Sequence, residues 1–269
     1  LLSVYNHVAP EELDFTAMYS NRRRVPFIPK RTSEEVELAN PIFAYESFGN
    51  FAMHFDARKL ADMLKNIATH ERGVERIEGK VVKFNEDGRG NIASLELESG
   101  EIVESDFLFD CSGFARLAIG KHYKAEWQAH EDLPAKRALP FFIPMRDEEN
   151  PPAHTEAIAM KYGWVWKIPV EGRYGCGYVY DSDYITEEEA VEEIEEFFGG
   201  YELTYPRADK GSFQFKAGYY KTPWVGNVLA VGLSSGFIEP LEATSIWVSL
   251  FSLETLLANP WEMFNRDQL

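Results

Sequence analysis

Two short runs of contiguous apolar residues, Phe107-Leu108-Phe109 and Val228-Leu229-Ala230-Val231, each give way at once to small residues. The first opens into Asp110-Cys111-Ser112-Gly113 and the second into Gly232-Leu233-Ser234-Ser235-Gly236. An unbroken apolar run suits a strand covered on both faces, which is the habit of parallel sheets. In open sheets of that kind, ligands sit beyond the carboxyl ends of the strands. Small residues there let a backbone come close to what is bound. An ordinary strand-to-loop turn is the plainer reading of Asp110–Gly113, with contact to a nucleotide-type cofactor as the functional alternative; Gly232–Gly236 is a small-residue loop between a buried strand and a helix start.

The rest of the chain alternates between sheet and helix signals. Residues 56–72 read as a helix capped by Asp56, with Leu60, Leu64 and Ile67 on one face and Gly73 at its end. From 77 to 110 the period shortens to two. Val81, Lys83 and Asn85 alternate with Val82 and Phe84, Asp87-Gly88-Arg89-Gly90 turns the chain, and Ile92, Leu95 and Leu97 continue before Gly100. That predicts a small antiparallel meander. Strand-like stretches at Ala157–Met160, Gly163–Ile168 and Gly175–Tyr180 are rich in aromatic and β-branched residues and predict a second sheet. Thr186-Glu187-Glu188-Glu189 is a capping box, and the helix it opens carries Ala190, Ile194 and Phe197 on one face and stops at Gly199. After Pro240, residues 241–257 are apolar on nearly every side, which predicts a buried helix. Residues 1–50 are irregular. Their basic run Asn21-Arg22-Arg23-Arg24, followed by Pro26 and Pro29, reads as a solvated loop or as a contact to an anion.

Composition removes several function classes. With 27 basic and 44 acidic residues the net charge is −17. Such a balance argues against nucleic acid, whose phosphates require a basic face. It argues equally against an anionic membrane surface. Cys111 and Cys176 lie far apart in apolar contexts, so buried free thiols in a reducing, cytoplasmic setting are expected. The six histidines show no metal-ligand spacing, so no metal is expected. No apolar run is long enough to cross a bilayer. The chain begins Leu-Leu-Ser-Val-Tyr-Asn-His, without Met, and reads as a segment of a longer protein.

Three groups of residues have candidate chemistry. Trp164 and Trp166 alternate on a strand and share a face, which by pattern alone reads as core packing. Glu242, Ala243, Thr244 and Ser245 open the apolar helix. Backbone N–H groups at a helix start attract anions. A carboxylate there is either a helix cap or a working group, because it is costly in an apolar element. His54-Phe55-Asp56-Ala57 precedes the first helix, and a satisfied structural histidine is the plainer reading of it.

The hexapeptide Trp164-Val165-Trp166-Lys167-Ile168-Pro169, followed downstream by Gly-Leu-Ser-Ser-Gly-Phe-Ile-Glu-Pro-Leu-Glu242-Ala-Thr-Ser, resembles the flavin-dependent tryptophan halogenases. Asp110-Cys111-Ser112-Gly113 and His54-Phe55-Asp56-Ala57 are similar to segments of the same family. The likeness spans nearly all of residues 50–257, the central part of a family member. It implies a mixed α/β fold of the FAD-dependent monooxygenase type (the glutathione-reductase-like nucleotide-binding fold) with an additional antiparallel sheet. Residues 1–269 are then the central part of one module. In it, 50–125 and 225–257 form the FAD-binding portion, and 126–224 form the second sheet and the substrate side.

The activity implied is halogenation of an electron-rich arene, such as tryptophan or another indole. Hypohalous acid forms from chloride or bromide at a flavin hydroperoxide. FADH2 is supplied by a separate flavin reductase, and a homodimer fits this picture. By the same resemblance Glu242 assists halogenation, and Thr244 and Ser245 bind halide. Asp110, Ser112, Gly113, Gly232, Leu233, Ser234, Ser235 and Gly236 contact the cofactor. Trp164, Trp166 and Pro169 line the passage between flavin and substrate. Where the family commonly has Ser-Thr-Gly, this chain has Ala243-Thr244-Ser245, which keeps the backbone N–H but loses the freedom of glycine. Related monooxygenases carry Gly-Asp where this chain has Gly232-Leu233. The chain contains no N-terminal Gly-x-Gly-x-x-Gly, and the family's essential lysine lies upstream of the matching stretch and is assigned to no lysine here. A flavin-dependent aromatic monooxygenase and a truncated FAD-binding remnant without turnover are the alternatives.

Overall fold

The structure is a computed structural model, and it describes residues 54–146, 150–152, 154–241 and 244–258. The basic run Asn21–Arg24, Pro26, Pro29, Glu242 and Ala243 lie outside the described residues. In chain order the elements are α1 (Ala57–Asn66), β1 (Val81–Glu86), β2 (Ile92–Leu97), β3 (Ile102–Glu104), β4 (Leu108–Asp110), β5 (Trp127–Ala129), β6 (Arg137–Pro144), β7 (Glu156–Ala159), β8 (Gly163–Val170), β9 (Arg173–Tyr180), α2 (Glu187–Phe197), β10 (Phe213–Gln214), β11 (Gly218–Tyr220), β12 (Trp224–Val225), β13 (Val228–Ala230), β14 (Gly236–Phe237) and α3 (Thr244–Ala258). They divide into two compact units. The first comprises residues 1–71 and 138–212, and the second comprises 72–137 and 213–269.

The first unit is built on the expected second sheet, in which β6, β9, β8 and β7 lie side by side in that order. The pairings β7–β8 and β8–β9 are antiparallel, and Trp166 faces Gly177 across the strands. One face of this sheet carries Leu139, Phe141, Ile143, Val165, Tyr178 and Tyr180 into the main core, each 0% exposed. Helix α2 closes that core. Thr186 caps it as a full capping box with Glu189, and Ala190 and Ile194 are fully buried. The inner face differs from expectation at its end, because Phe197 is 55% exposed and Phe198 is the buried residue. Phe197 lies three positions after Ile194 and Phe198 four, so the helix phase allowed either.

The tryptophans also depart from simple core packing. Trp164 and Trp166 stand only half-buried, edge to face with ring centroids 6.1 Å apart, while Val165 between them points into the core. Trp166 lies over Gly177, where any β-carbon would collide with its indole. Asp56 caps α1 by accepting from the Arg58 and Lys59 N–H groups, and its other oxygen pairs with Arg173 at 2.7 Å. The α-helix is shorter than expected. It ends at Asn66, a π-turn covers Ile67–Glu71, and among described residues the helix buries none of its apolar face.

The second unit holds the meander and the parallel pair. Strands β1, β2 and β3 pair antiparallel as predicted, and the Asp87 carboxylate organises the turn by accepting from the Arg89 and Asn91 N–H groups. Strands β4 and β13 run parallel, with Val228, Leu229 and Ala230 opposite Leu108, Phe109 and Asp110. Phe109 is 40% exposed, so this run is not covered on both faces as the sequence suggested. Phe109 instead packs edge to face on Phe107 at 5.1 Å. Helix α3 is apolar all round, yet Trp247, Leu250, Phe251 and Leu257 are exposed among the described residues, and Leu256 is buried. The expectation of a wholly buried helix is corrected for this chain. Periodicity reports how apolar a helix is, whereas burial needs a neighbour.

Asn227 ties meander to parallel pair. Its side-chain oxygen accepts from the Ile92 N–H, and its amide nitrogen donates to the Ile92 and Asp106 carbonyls. Asn227 is 3% exposed. Leucine has the same branched shape with bulkier ends and makes none of these bonds. Asn227→Leu is therefore expected to lower stability by about 2–4 kcal/mol, since each buried backbone group left unpaired costs about 1–3 kcal/mol. Urea unfolding checks this, and a midpoint equal to the parent's refutes it.

Candidate functional site

The parallel register brings the two small-residue segments together. The Val231 N–H donates to the Asp110 carbonyl at 3.1 Å, carrying the pairing one step past the strand ends. Beyond it the Gly113 N–H donates to the Ser234 hydroxyl at 3.0 Å. Gly113 and Gly232 both have left-handed backbone, with φ of 64° and 66°, which is strained for any residue with a β-carbon. Residues predicted to contact one ligand from 121 positions apart thus form a single surface.

Inside that surface the polar side chains are used by the chain itself. Asp110 is 5% exposed. One of its oxygens accepts from the Ser112 N–H and hydroxyl at 3.0 and 2.5 Å. The other accepts from the Ala118 and Ile119 N–H groups, both at 2.9 Å. The Ser112 hydroxyl accepts in turn from Leu117 at 2.8 Å. Ser234 is fully buried, and the Ser235 hydroxyl donates to the Gly232 carbonyl at 2.7 Å. Asp110, Ser112 and Ser234 therefore shape the loops, and a ligand would meet mainly backbone and the small side chains of Gly232, Ser235 and Gly236.

Those three residues line a mostly apolar cavity of about 470 Å³, within the second unit. Tyr219, Tyr220, His130 and Ser245 also line it. Its size falls in the range of small-molecule sites, about 300–1,000 Å³. Ser245 is the second residue of α3, so the start of the helix read as a halide site borders the same space. Leu233 and Ser234 sit in the 3-10 turn Gly232–Ser234 behind it. Thr244 begins α3. Trp164, Trp166 and Pro169 belong to the first unit.

The apolar cavity wall and close-lying glycine backbone suit a flat, largely apolar group.

Sequence reading missed the aromatic and basic residues around this site. Arg116 follows the first segment with left-handed backbone, φ 47° and ψ 51°. Its guanidinium lies 3.6 Å from the centroid of the Trp127 ring, and Trp127 meets Tyr220 edge to face at 5.0 Å. Burial holds the Arg116 group below the ordinary arginine range, and burial pushes the Tyr220 phenol up. The nearest sequence signal was a basic residue directly after a small-residue turn. Nothing local indicated Trp127 or Tyr220 as its partners. The two cysteines are free, as expected, but Cys176 alone is buried and Cys111 is exposed. Burial raises the Cys176 thiol to about 12, and partial desolvation of its sulfur together with the Asp110 charge raises Cys111, though the residue is exposed overall. Among the described residues no helix is long and apolar enough to cross a membrane, and no cluster of three or more metal-ligating side chains occurs.

Comparison with known proteins extends the likeness over most of the chain. A sequence model of the family described as tryptophan halogenase matches residues 28–265. The tryptophan 7-halogenase RebH of Lentzea aerocolonigenes is 40% identical over 210 residues, covering 77% of this chain and 39% of RebH. The tryptophan 6-halogenase ThaL of Streptomyces albogriseolus is 37% identical over 200 residues, covering 74% of this chain and 37% of ThaL. Among solved structures, BrvH, a flavin-dependent halogenase from a Brevundimonas species, superposes with a TM-score of 0.78 at 27% identity, covering 96% of this chain and 50% of BrvH. The chain thus spans about two fifths of the length of the curated relatives it matches.

Proposed function

Because this chain belongs to the tryptophan halogenase family, we propose that the protein it represents is a flavin-dependent halogenase acting on an electron-rich aromatic ring such as an indole. One observation carries the reading. In a chain matched along residues 28–265, the Trp-x-Trp-x-Ile-Pro strand at 164–169 accompanies a small-residue loop at 232–236 that borders a cavity with the start of α3.

Reduced FAD, when bound, would supply the electrons with which oxygen converts a halide into an electrophile. The chain's own residues have narrower tasks. The backbone of Gly232–Gly236, with Asp110, Ser112 and Gly113 behind it, holds the ring end of the cofactor. Thr244 and Ser245 hold chloride or bromide through hydroxyl and N–H groups at the helix start, where the helix dipole favours negative charge. Glu242 accepts the proton released from the ring carbon that takes the halogen, a general-base role. Trp164 and Trp166, braced by Pro169, wall the arene away from the cofactor so that oxygen transfer to it is blocked. Residues 50–125 and 225–257 serve the FAD side, and 126–224 serve the second sheet and substrate side. A separate flavin reductase supplies the reduced cofactor.

The test uses the full-length protein with a flavin reductase, bromide and a panel of indoles, read by mass spectrometry. Brominated indole is the expected product. Hydroxylated indole without bromination would move the protein to the aromatic monooxygenases, and oxidation of flavin with neither product would refute both readings.

A further inference from the structure

The chain carries a net charge of −17, a poor background for attracting an anion. The cavity beside Gly232 does little to offset it, since His130 is the only basic side chain among its described lining residues. A positive charge lies one layer back. Tyr220 lines the cavity and is 6% exposed, and the Arg116 guanidinium lies 5.8 Å from its ring. Trp127 fixes the arrangement, stacked under Arg116 at 3.6 Å and edge-on to Tyr220 at 5.0 Å.

We propose that Arg116 is a positioning residue that fits this cavity for a small monovalent anion, acting through Tyr220. Two costs borne at Arg116 support a functional role. Its Nε and Nη2 atoms are buried without a hydrogen-bond partner. Its backbone is left-handed, a conformation uncommon outside glycine. Buried unpaired donors and strained backbone both gather at functional sites. Arg116 is half-buried, so salt screens its charge less than that of a fully exposed arginine, and arginine keeps that charge at any working pH. Asp110 is the opposing charge nearby and also acts on Tyr220; the donor dipoles of Ser112, Ala118 and Ile119 that its oxygens accept from offset part of its field. Phosphates and carboxylates are ordinarily gripped by direct, forked arginine contacts. A cation acting from behind an aromatic ring suits a halide, which asks for little directionality.

The inference rests on the halogenase reading, so the experiment separates the two. Bromide binding to the full-length protein is followed by the linewidth of the bromide NMR signal, with no turnover required. The parent should broaden the line saturably. Arg116→Gln should weaken bromide binding about tenfold, equivalent to ~1.4 kcal/mol, and Arg116→Lys should recover most of the loss. FAD affinity, measured alongside, should stay within about twofold for both, a ΔΔG below ~0.4 kcal/mol, since Arg116 is not among the residues that line the cavity. Should Arg116→Gln melt too early to measure, Tyr220→Phe keeps the ring on Trp127 and should weaken bromide binding as well. Equal bromide binding by parent, Arg116→Gln and Tyr220→Phe overturns the role of Arg116 while leaving the halogenase reading intact. Equal losses of bromide and FAD binding in the Gln and Lys variants also overturn it, because they mark a purely structural residue. No saturable broadening with the parent refutes the halide reading itself.

Discussion

Glu242→Gln should leave the protein folded and able to bind FAD while halogenation falls about 10²–10⁴-fold, the usual effect of losing a general acid or base. Glu242 lies two residues ahead of α3 in the sequence, and the second residue of α3 borders the cavity with Gly232 and Ser235. Glutamine has the same shape and can still accept a hydrogen bond, but it cannot take up a proton at neutral pH. The competing role is that of a helix cap. A carboxylate at a helix start stabilises by about 0.3–1 kcal/mol, too little to imitate a loss of that size. The measurement is the single-turnover rate of indole bromination with pre-reduced FAD, alongside a thermal melt. A small drop in melting temperature with an unchanged rate would reduce Glu242 to a cap.

Trp166→Ala is expected to act on two observables at once. The indole is half-buried over Gly177, so its removal should cost about 2–3 kcal/mol, below the ~3–5 kcal/mol of a fully enclosed ring. If the ring walls a passage, oxidation of reduced flavin should continue nearly unaltered while less halogenated product forms per flavin oxidised. The half-buried stance favours this test. Val165, on the opposite face of the same strand, makes the core contacts, so the tryptophans are free of the core's packing demands. Phenylalanine at 164 and 166 separates stability from partitioning, because it keeps most of the apolar area. A ratio of product to oxidised flavin equal to the parent's in both Trp→Phe variants, compared at equal folded fraction, would make the hexapeptide a packing element.

Local signals carried a good part of the architecture. The meander was legible because alternation of period two and the Asp87–Gly90 turn are both settled within ten residues, and Asp87 bonds only two and four positions ahead. The capping box at Thr186 and the cap at Asp56 were legible for the same reason. The two small-residue segments were legible after their apolar runs, and the parallel register joined them. Signals of one residue's precision were less secure. Phe197 and Phe198 both satisfy the apolar spacing of α2, and only the position of the core chose between them. Phe109 and the outer faces of α3 are apolar by sequence yet exposed among the described residues, because hydrophobicity states a preference and a neighbour must satisfy it.

The sequence by itself determined the family, the mixed α/β class, the position of most strands and the small-residue loops, since each depends on residue types at short, fixed spacings. Only the tertiary structure decided what the polar groups do. Asp110 proved to be a buried organiser of the turn at 112–119, Asn227 a clamp on Ile92 across 135 positions, and Arg116 a half-buried cation held by Trp127 beside Tyr220. A buried donor, acceptor or charge is stable only if its partners arrive with it. Those partners come from distant parts of the chain, and no local pattern encodes which of them will meet.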